Sequence, residues 1–165
     1  MVVPSRGVTV HWAVVTFGKH YGRTLPEIVF HDPGYFFWAI REDVFRGRAG
    51  LEREAKLIDQ RARRIRVPSD GAGTPKINYV FSRFDGRFSH LKLVSPDNLS
   101  DDCDSRSLRR DVIDLGLLFD ARHDFKVDGE LLIASLKSIV FGDAGYRMTR
   151  KRCEAFFSNI ENFVA

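Results

Sequence analysis

Cysteine is scarce in this chain: Cys103 and Cys153 are the only two, fifty residues apart. Neither belongs to a Cys-x-x-Cys or Cys/His pattern, so no zinc site is expected. Two free thiols in a reducing cytoplasm fit this usage. Long apolar runs are also missing. None approaches the ~18–20 residues that span a bilayer, and residues 1–4 are too short for the apolar core of a secretory signal. The expectation is a soluble cytoplasmic protein that keeps away from membranes. The phosphate-loop spacing Gly-x-x-x-x-Gly-Lys-Ser/Thr and the dinucleotide fingerprint are absent. Ser105–Ser107 lacks a nucleophile motif. The histidines His11, His20, His31, His90 and His123 are scattered. Asp101, Asp102 and Asp104 form an acidic loop without a Glu or His at metal-site spacing. Asp111 and Asp114 are two carboxylates lacking a third ligand. No catalytic residue, cofactor or metal is called for.

What is present starts with enough apolar content, 44% of 165 residues, to build a core, and fourteen Phe residues to make it aromatic. The net charge of +4 and pI near 9.3 tilt towards anionic partners. The most informative stretch is Phe17-Gly18-Lys19-His20-Tyr21-Gly22-Arg23-Thr24-Leu25-Pro26-Glu27-Ile28, followed by Asp32-Pro33-Gly34-Tyr35-Phe36-Phe37-Trp38. Val8 to Val15 alternates like a strand, with Val8, Val10, Trp12 and Val14 on one side. Thr24 suits a helix N-cap, with Pro26 and Glu27 in the first turn. Asp32 suits a second cap, with Pro33 at the first helical position. Between strand and helix, Gly18 and Gly22 let backbone approach an anion, and Lys19 and Arg23 supply charge. His20 and Tyr21, an exposed-looking pair, suit stacking on a base or sugar. The same residues also suit a tight strand-to-helix turn with solvated cations.

Residues 15–38 resemble the small domain at the C-terminus of exodeoxyribonuclease X and related DNA-processing proteins. That family's pattern is aromatic-Gly-Lys, two residues, Gly-Lys/Arg-Thr-Leu, then Glu-Ile/Val, Asp-Pro-x-Tyr and a Trp three residues on. Phe17, Gly18, Lys19, Gly22, Arg23, Thr24, Leu25, Glu27, Ile28, Asp32, Pro33, Tyr35 and Trp38 match it in order. The resemblance implies a module that helps hold nucleic acid, with Lys19 and Arg23 on phosphates and Tyr35 and Trp38 building a small core.

Over 46–66, Leu51, Ala55, Ile58, Ala62 and Ile65 step by four and three, which predicts one apolar stripe on a charged helix. Eight cations face three carboxylates there, a local excess larger than the net charge of the chain. Arg61, Arg63, Arg64 and Arg66 are expected in its last turn, at the negative end of the helix dipole. Residues 67–76 read as a linker. Ile77–Val94 reads as a hairpin about an Asp85-Gly86 two-residue turn. That turn pairs Phe81 with His90 and Tyr79 with Lys92. One face then carries Val80, Phe84, Leu91 and Leu93. The other interleaves Tyr79, Phe81 and Phe88 with Arg83, His90 and Lys92, a mix suited to stacking bases. Leu108–Phe119 is apolar and ambiguous. Asp128 and Thr149 suit the caps of two C-terminal helices, with Gly142 ending the first.

These readings describe an α+β protein. Residues 1–66 hold the strand-Gly loop-helix module and basic helix, and 77–165 a β-hairpin with C-terminal helices, either a separate unit or one packed with the first part. The expected function is non-catalytic nucleic-acid binding, to single-stranded or structured DNA, through Gly18, Lys19, His20, Tyr21, Gly22, Arg23, Arg61, Arg63, Arg64, Arg66, Arg83 and Lys92. Two alternatives stand beside it. One is an adaptor docking a nuclease or a replication or repair protein; the other is a metal-dependent nuclease using the acidic loop.

Overall fold

A computed structural model describes residues 10–71, 73–97, 105–120 and 128–165. The chain is α+β. Helices α1 (Leu25–His31), α2 (Pro33–Arg41) and α3 (Ala49–Ala62) precede a short strand β1 (Ile65–Arg66). Strands β2 (Lys76–Ser82), β3 (Phe88–Val94), β4 (Ser105–Arg110) and β5 (Val112–Ile113) follow. Helices α4 (Leu117–Asp120), α5 (Gly129–Phe141) and α6 (Arg150–Ser158) complete the set.

The expected helix signals operate. The Thr24 N–H donates to Glu27 Oε2 at 2.9 Å, which satisfies one of the donors a helix start leaves open. Asp32 Oδ1 accepts the Tyr35 N–H at 3.1 Å and caps α2. Asp128 caps α5, and Gly142 ends it at φ 75°, where a Cβ would be strained. Thr149 caps α6. The stripe of α3 is buried at Leu51, Ala55, Ile58 and Ala62, as its spacing requires.

Two sequence expectations are corrected. Residues 10–15 join no sheet. Val14 makes a lone antiparallel bridge to Thr24, and burial falls on Trp12 and Val15 while Val10 and Val14 are exposed. Residues 8 and 9 lie outside the described residues. The charged helix also ends earlier, at Ala62, and Arg66 lies in β1, which pairs antiparallel with β5 through Ile65↔Ile113.

The larger sheet has the order β3-β2-β4, with both pairings antiparallel. The hairpin exists, but its turn is longer than two residues. Ser82 N–H donates to Arg87 O, and Gly86 N–H to Ser82 O, so residues 83–87 form the connection. The pairs become Tyr79↔Leu91 and Val80↔His90, with an irregularity between Val80 and Phe81 before Phe81↔Phe88. Because side chains alternate, a one-residue slip moves each partner to the opposite face. Tyr79, Phe81, Phe88 and Leu91 are therefore buried together, and α5 packs against β3. Phe84, expected on an apolar face, is 97% exposed in the turn.

One hydrophobic cluster runs from Trp12 to Phe163. Phe156 sits edge-on to Phe30, Phe157 and Phe163 at 5.4–5.5 Å. Such pairs add about 0.5–1.5 kcal/mol each beyond area burial. Tyr79 is fully buried, and its hydroxyl both donates to Asp114 O and accepts from Asp114 N–H, each at 2.7 Å. That double contact ties β2 to the start of α4. No helix among the described residues is long and apolar enough to cross a membrane.

Candidate nucleic-acid interface

The glycine loop is closed by a two-bond ladder. Val15 N–H donates to Arg23 O and Gly22 N–H to Val15 O, both at 2.8 Å. Within it, Tyr21 N–H donates to Gly18 O and Arg23 N–H to His20 O. Gly18 and Gly22 take φ of 65° and 84°, the left-handed region the turn requires. Four amides are thus spent on holding the turn. The expected backbone cradle for an anion is correspondingly reduced, and the charge at the loop is left to its side chains.

Those side chains divide. Tyr21 is 72% exposed, and Arg23 is exposed beside it. His20, expected at the surface, is only 7% exposed. Its Nε2 lies 3.0 Å from Asp32 Oδ2, and its ring meets Tyr35 edge-on at 4.5 Å. Burial pushes the imidazole pKa below its usual value, and the Lys19 and Arg23 charges push the same way. Asp32 opposes them without winning. Lys19 Nζ reaches the same Asp32 oxygen at 2.7 Å and lies 5.1 Å from the Tyr35 ring centroid. Burial would raise the Asp32 pKa, but hydrogen bonds from Lys19, the Tyr35 N–H and His20 hold it below the usual carboxylate value. Asp32 therefore does two jobs: it caps α2 and fixes the loop to it.

Tyr35 is half-buried, and Trp38 is 44% exposed, their rings 5.6 Å apart. Trp38 is not part of a core, contrary to what the resemblance implies. The reason is legible on α2: Pro33, Phe36, Phe37 and Ile40 follow i, i+3, i+4, i+7 and turn inward, which leaves Trp38 outside their stripe.

The arginines at the end of α3 and just beyond it mostly hold the fold. Arg61 donates to the Phe157 carbonyl and lies over the Phe163 ring at 5.6 Å. Arg66 donates to the carbonyls of Glu161 and Phe163 at 3.1 and 2.9 Å. Arg63 donates to Asp59 at 2.8 Å and to both carboxylate oxygens of Asp120, with Asp114 3.8 Å away and the Phe37 ring beneath. Desolvation would weaken its charge, but Asp120 and Asp59 raise its pKa above the ordinary value. Arg64 alone of the four is exposed with no side-chain hydrogen bond or ion pair among the described residues, and it lines an open groove of about 500 Å³ with Leu57, Ile160 and Val164. Arg61 and Arg66 line the same groove, and Arg63 lies outside it.

The hairpin supplies a different basic surface. The register sets Lys92 and Arg109 on either side of Asn78, with His90 and Ser107 flanking Val80 in the next row. Arg109 Nε donates to Asn78 Oδ1 at 3.1 Å. Lys92, His90 and Ser107 are exposed, and Arg83 is exposed in the adjoining turn. The expected interleaving of cations with Tyr79, Phe81 and Phe88 does not occur, because the register puts the aromatics on the buried face. Arg109 lies outside the expected set, although its alternation with Leu108 offered a signal.

Asp101, Asp102, Cys103 and Asp104 lie outside the described residues, as does His123. Among the described residues, no group of three or more His, Cys, Asp or Glu side chains is placed to hold a metal ion. Where three carboxylates do converge, Arg63 occupies the centre. No protein-family model, curated protein or solved structure matches the chain.

Proposed function

We propose that this protein binds nucleic acid, single-stranded or structured DNA in the first place, without catalysing a reaction, in the manner of the exodeoxyribonuclease X-like module its residues 15–38 resemble. The observation that carries the reading is the outward face of the sheet. There Lys92 and Arg109 come from two strands to flank Asn78, with His90 in the next row. Arg23 and Lys19 on the glycine loop add a second exposed basic site. Lys and Arg side chains so placed recognise phosphate without reading sequence. No helix among the described residues presents an obvious set of base-reading side chains, which favours backbone contact over sequence-specific duplex recognition.

The test is a salt-titrated binding assay with labelled single-stranded DNA, duplex DNA and RNA. Affinity should fall steeply with salt, since each phosphate contact releases counterions. Replacing Lys92 and Arg109 by Ala should flatten the salt slope by about one to two. Lys19→Ala with Arg23→Ala should weaken binding at least a few-fold. Absence of salt-dependent binding to every oligonucleotide refutes the reading. An adaptor role is favoured by one observation, the exposed Ile160 and Val164 at the edge of the Arg64 groove, 67% and 37% accessible.

A further inference from the structure

An exposed tryptophan on a short helix contributes little to a core, and Trp38 has specific company. Its ring is tilted 45° to that of Tyr35 at 5.6 Å, and the Lys19 ammonium lies over Tyr35. At the other end, Arg41 stands one turn further along α2, with its side chain 57% exposed. Glu42 pairs with Arg41 at 3.3 Å and Asp32 with Lys19 at 2.7 Å, so each cation is already held in place by a carboxylate. The result is an aromatic surface bounded by oriented cations. An apolar protein partner would use the rings alone. A flat aromatic group attached to phosphates uses both.

We infer that Trp38 is a stacking residue for an unpaired nucleobase, with Lys19 and Arg41 placed for the phosphates on either side. This rests on the nucleic-acid reading above and assigns it a contact that phosphate binding alone does not need. The base must be unpaired, because a duplex already buries both faces of its bases. Stacking of this kind accepts any base, since each has a π-face.

The intrinsic fluorescence of the unmodified protein reads the contact. Trp12, 3% exposed and donating to Ser158 Oγ at 3.2 Å, supplies a constant background. Oligothymidylate is titrated at low salt against an abasic deoxyribose-phosphate oligomer of equal length. Quenching by oligothymidylate and not by the abasic strand is the expected result. Trp38→Ala should lose at least about five-fold in affinity for oligothymidylate, while Trp38→Phe keeps most of it. Affinity for the abasic strand should stay within about two-fold, a control that a merely misfolded variant would fail. Salt-dependent binding without quenching, or equal quenching by both strands, overturns the stacking role and leaves the phosphate reading standing. Failure to bind either strand at any salt overturns both.

Discussion

A Cβ placed on Gly116 would lie 2.5 Å from Nη1 of Arg63. The guanidinium fills the space at the start of α4 and holds it to α3, with Asp59, Asp114 and Asp120 around it. The Asp114 side chain also accepts the Gly116 and Leu117 N–H groups at 2.8 and 3.0 Å. Burial raises the Asp114 pKa, against the pull of Arg63 and of these backbone donors. One cation thus joins the N-terminal helices to the segment that follows the sheet.

Gly116→Ala should therefore destabilise the protein, by about 1–3 kcal/mol in a urea titration. The guanidinium is the far end of a flexible side chain, but moving it surrenders two carboxylate contacts. In an Arg63→Ala background the same space is vacant, and Gly116→Ala should cost well under half as much. Equal costs in the two backgrounds would mean that the steric relation has no energetic weight.

The arginines expected to contact nucleic acid should separate by experiment. Arg61→Ala and Arg66→Ala remove charged donors from carbonyls of the C-terminal segment, and each should lower unfolding stability by about 1–2 kcal/mol. Arg64→Ala should leave stability within about 0.5 kcal/mol, as an exposed surface change does. If nucleic acid reaches this edge, only Arg64→Ala changes the salt dependence of binding while the midpoint of unfolding stays put.

The contrast between these arginines shows what the sequence carried and what it did not. Caps and stripes are local: Thr24, Asp32, Asp128 and Thr149 act on residues within one turn, so they were readable in order along the chain. Apart from Asp59, one turn before Arg63, the hydrogen-bond partners of Arg61, Arg63 and Arg66 lie 57 to 97 residues away. Nothing in a run of positive residues reveals a carbonyl at the far end of the chain. The hairpin fails for a different reason. Asp85-Gly86 was visible, but the five-residue connection and the irregularity after Val80 were not, and one residue of slip placed Tyr79 and His90 on opposite faces. Trp38 was legible in principle, since the inward stripe of α2 excludes it, but the family resemblance suggested a core role instead.

Cys153 should be unreactive in the native protein. It is fully buried, and its thiol pKa is pushed up to about 12, first by desolvation and then by the nearby Glu27 carboxylate. The thiolate is the reactive form. Iodoacetamide at neutral pH, followed by peptide mass spectrometry, should leave Cys153 unlabelled over times that label the same residue completely in denaturant. Rapid native labelling would show that the core around α6 opens readily.

His20 sets a pH dependence whose sign follows from its burial. Its folded pKa lies below the usual 6.5, because desolvation outweighs the attraction of Asp32. Between pH 6.5 and the folded midpoint, the unfolded chain binds a proton that the native chain does not. The His20 contribution to stability is therefore fully present above 6.5, is lost progressively as pH falls through that window, and then levels off. Asp32 has the same sign at lower pH: its folded pKa is depressed, so its contribution declines as pH falls below the usual 3.8. Asn remains a good helix cap but carries no charge. Asp32→Asn should therefore move the His20 midpoint still lower while keeping α2 intact. Proton NMR of the His20 ring carbon resonances measures that midpoint in both proteins. A wild-type value above 6.5 would show that ion pairing rather than burial governs the imidazole at the base of the glycine loop, and a rise on Asp32→Asn would show that Asp32 does not favour its protonated form.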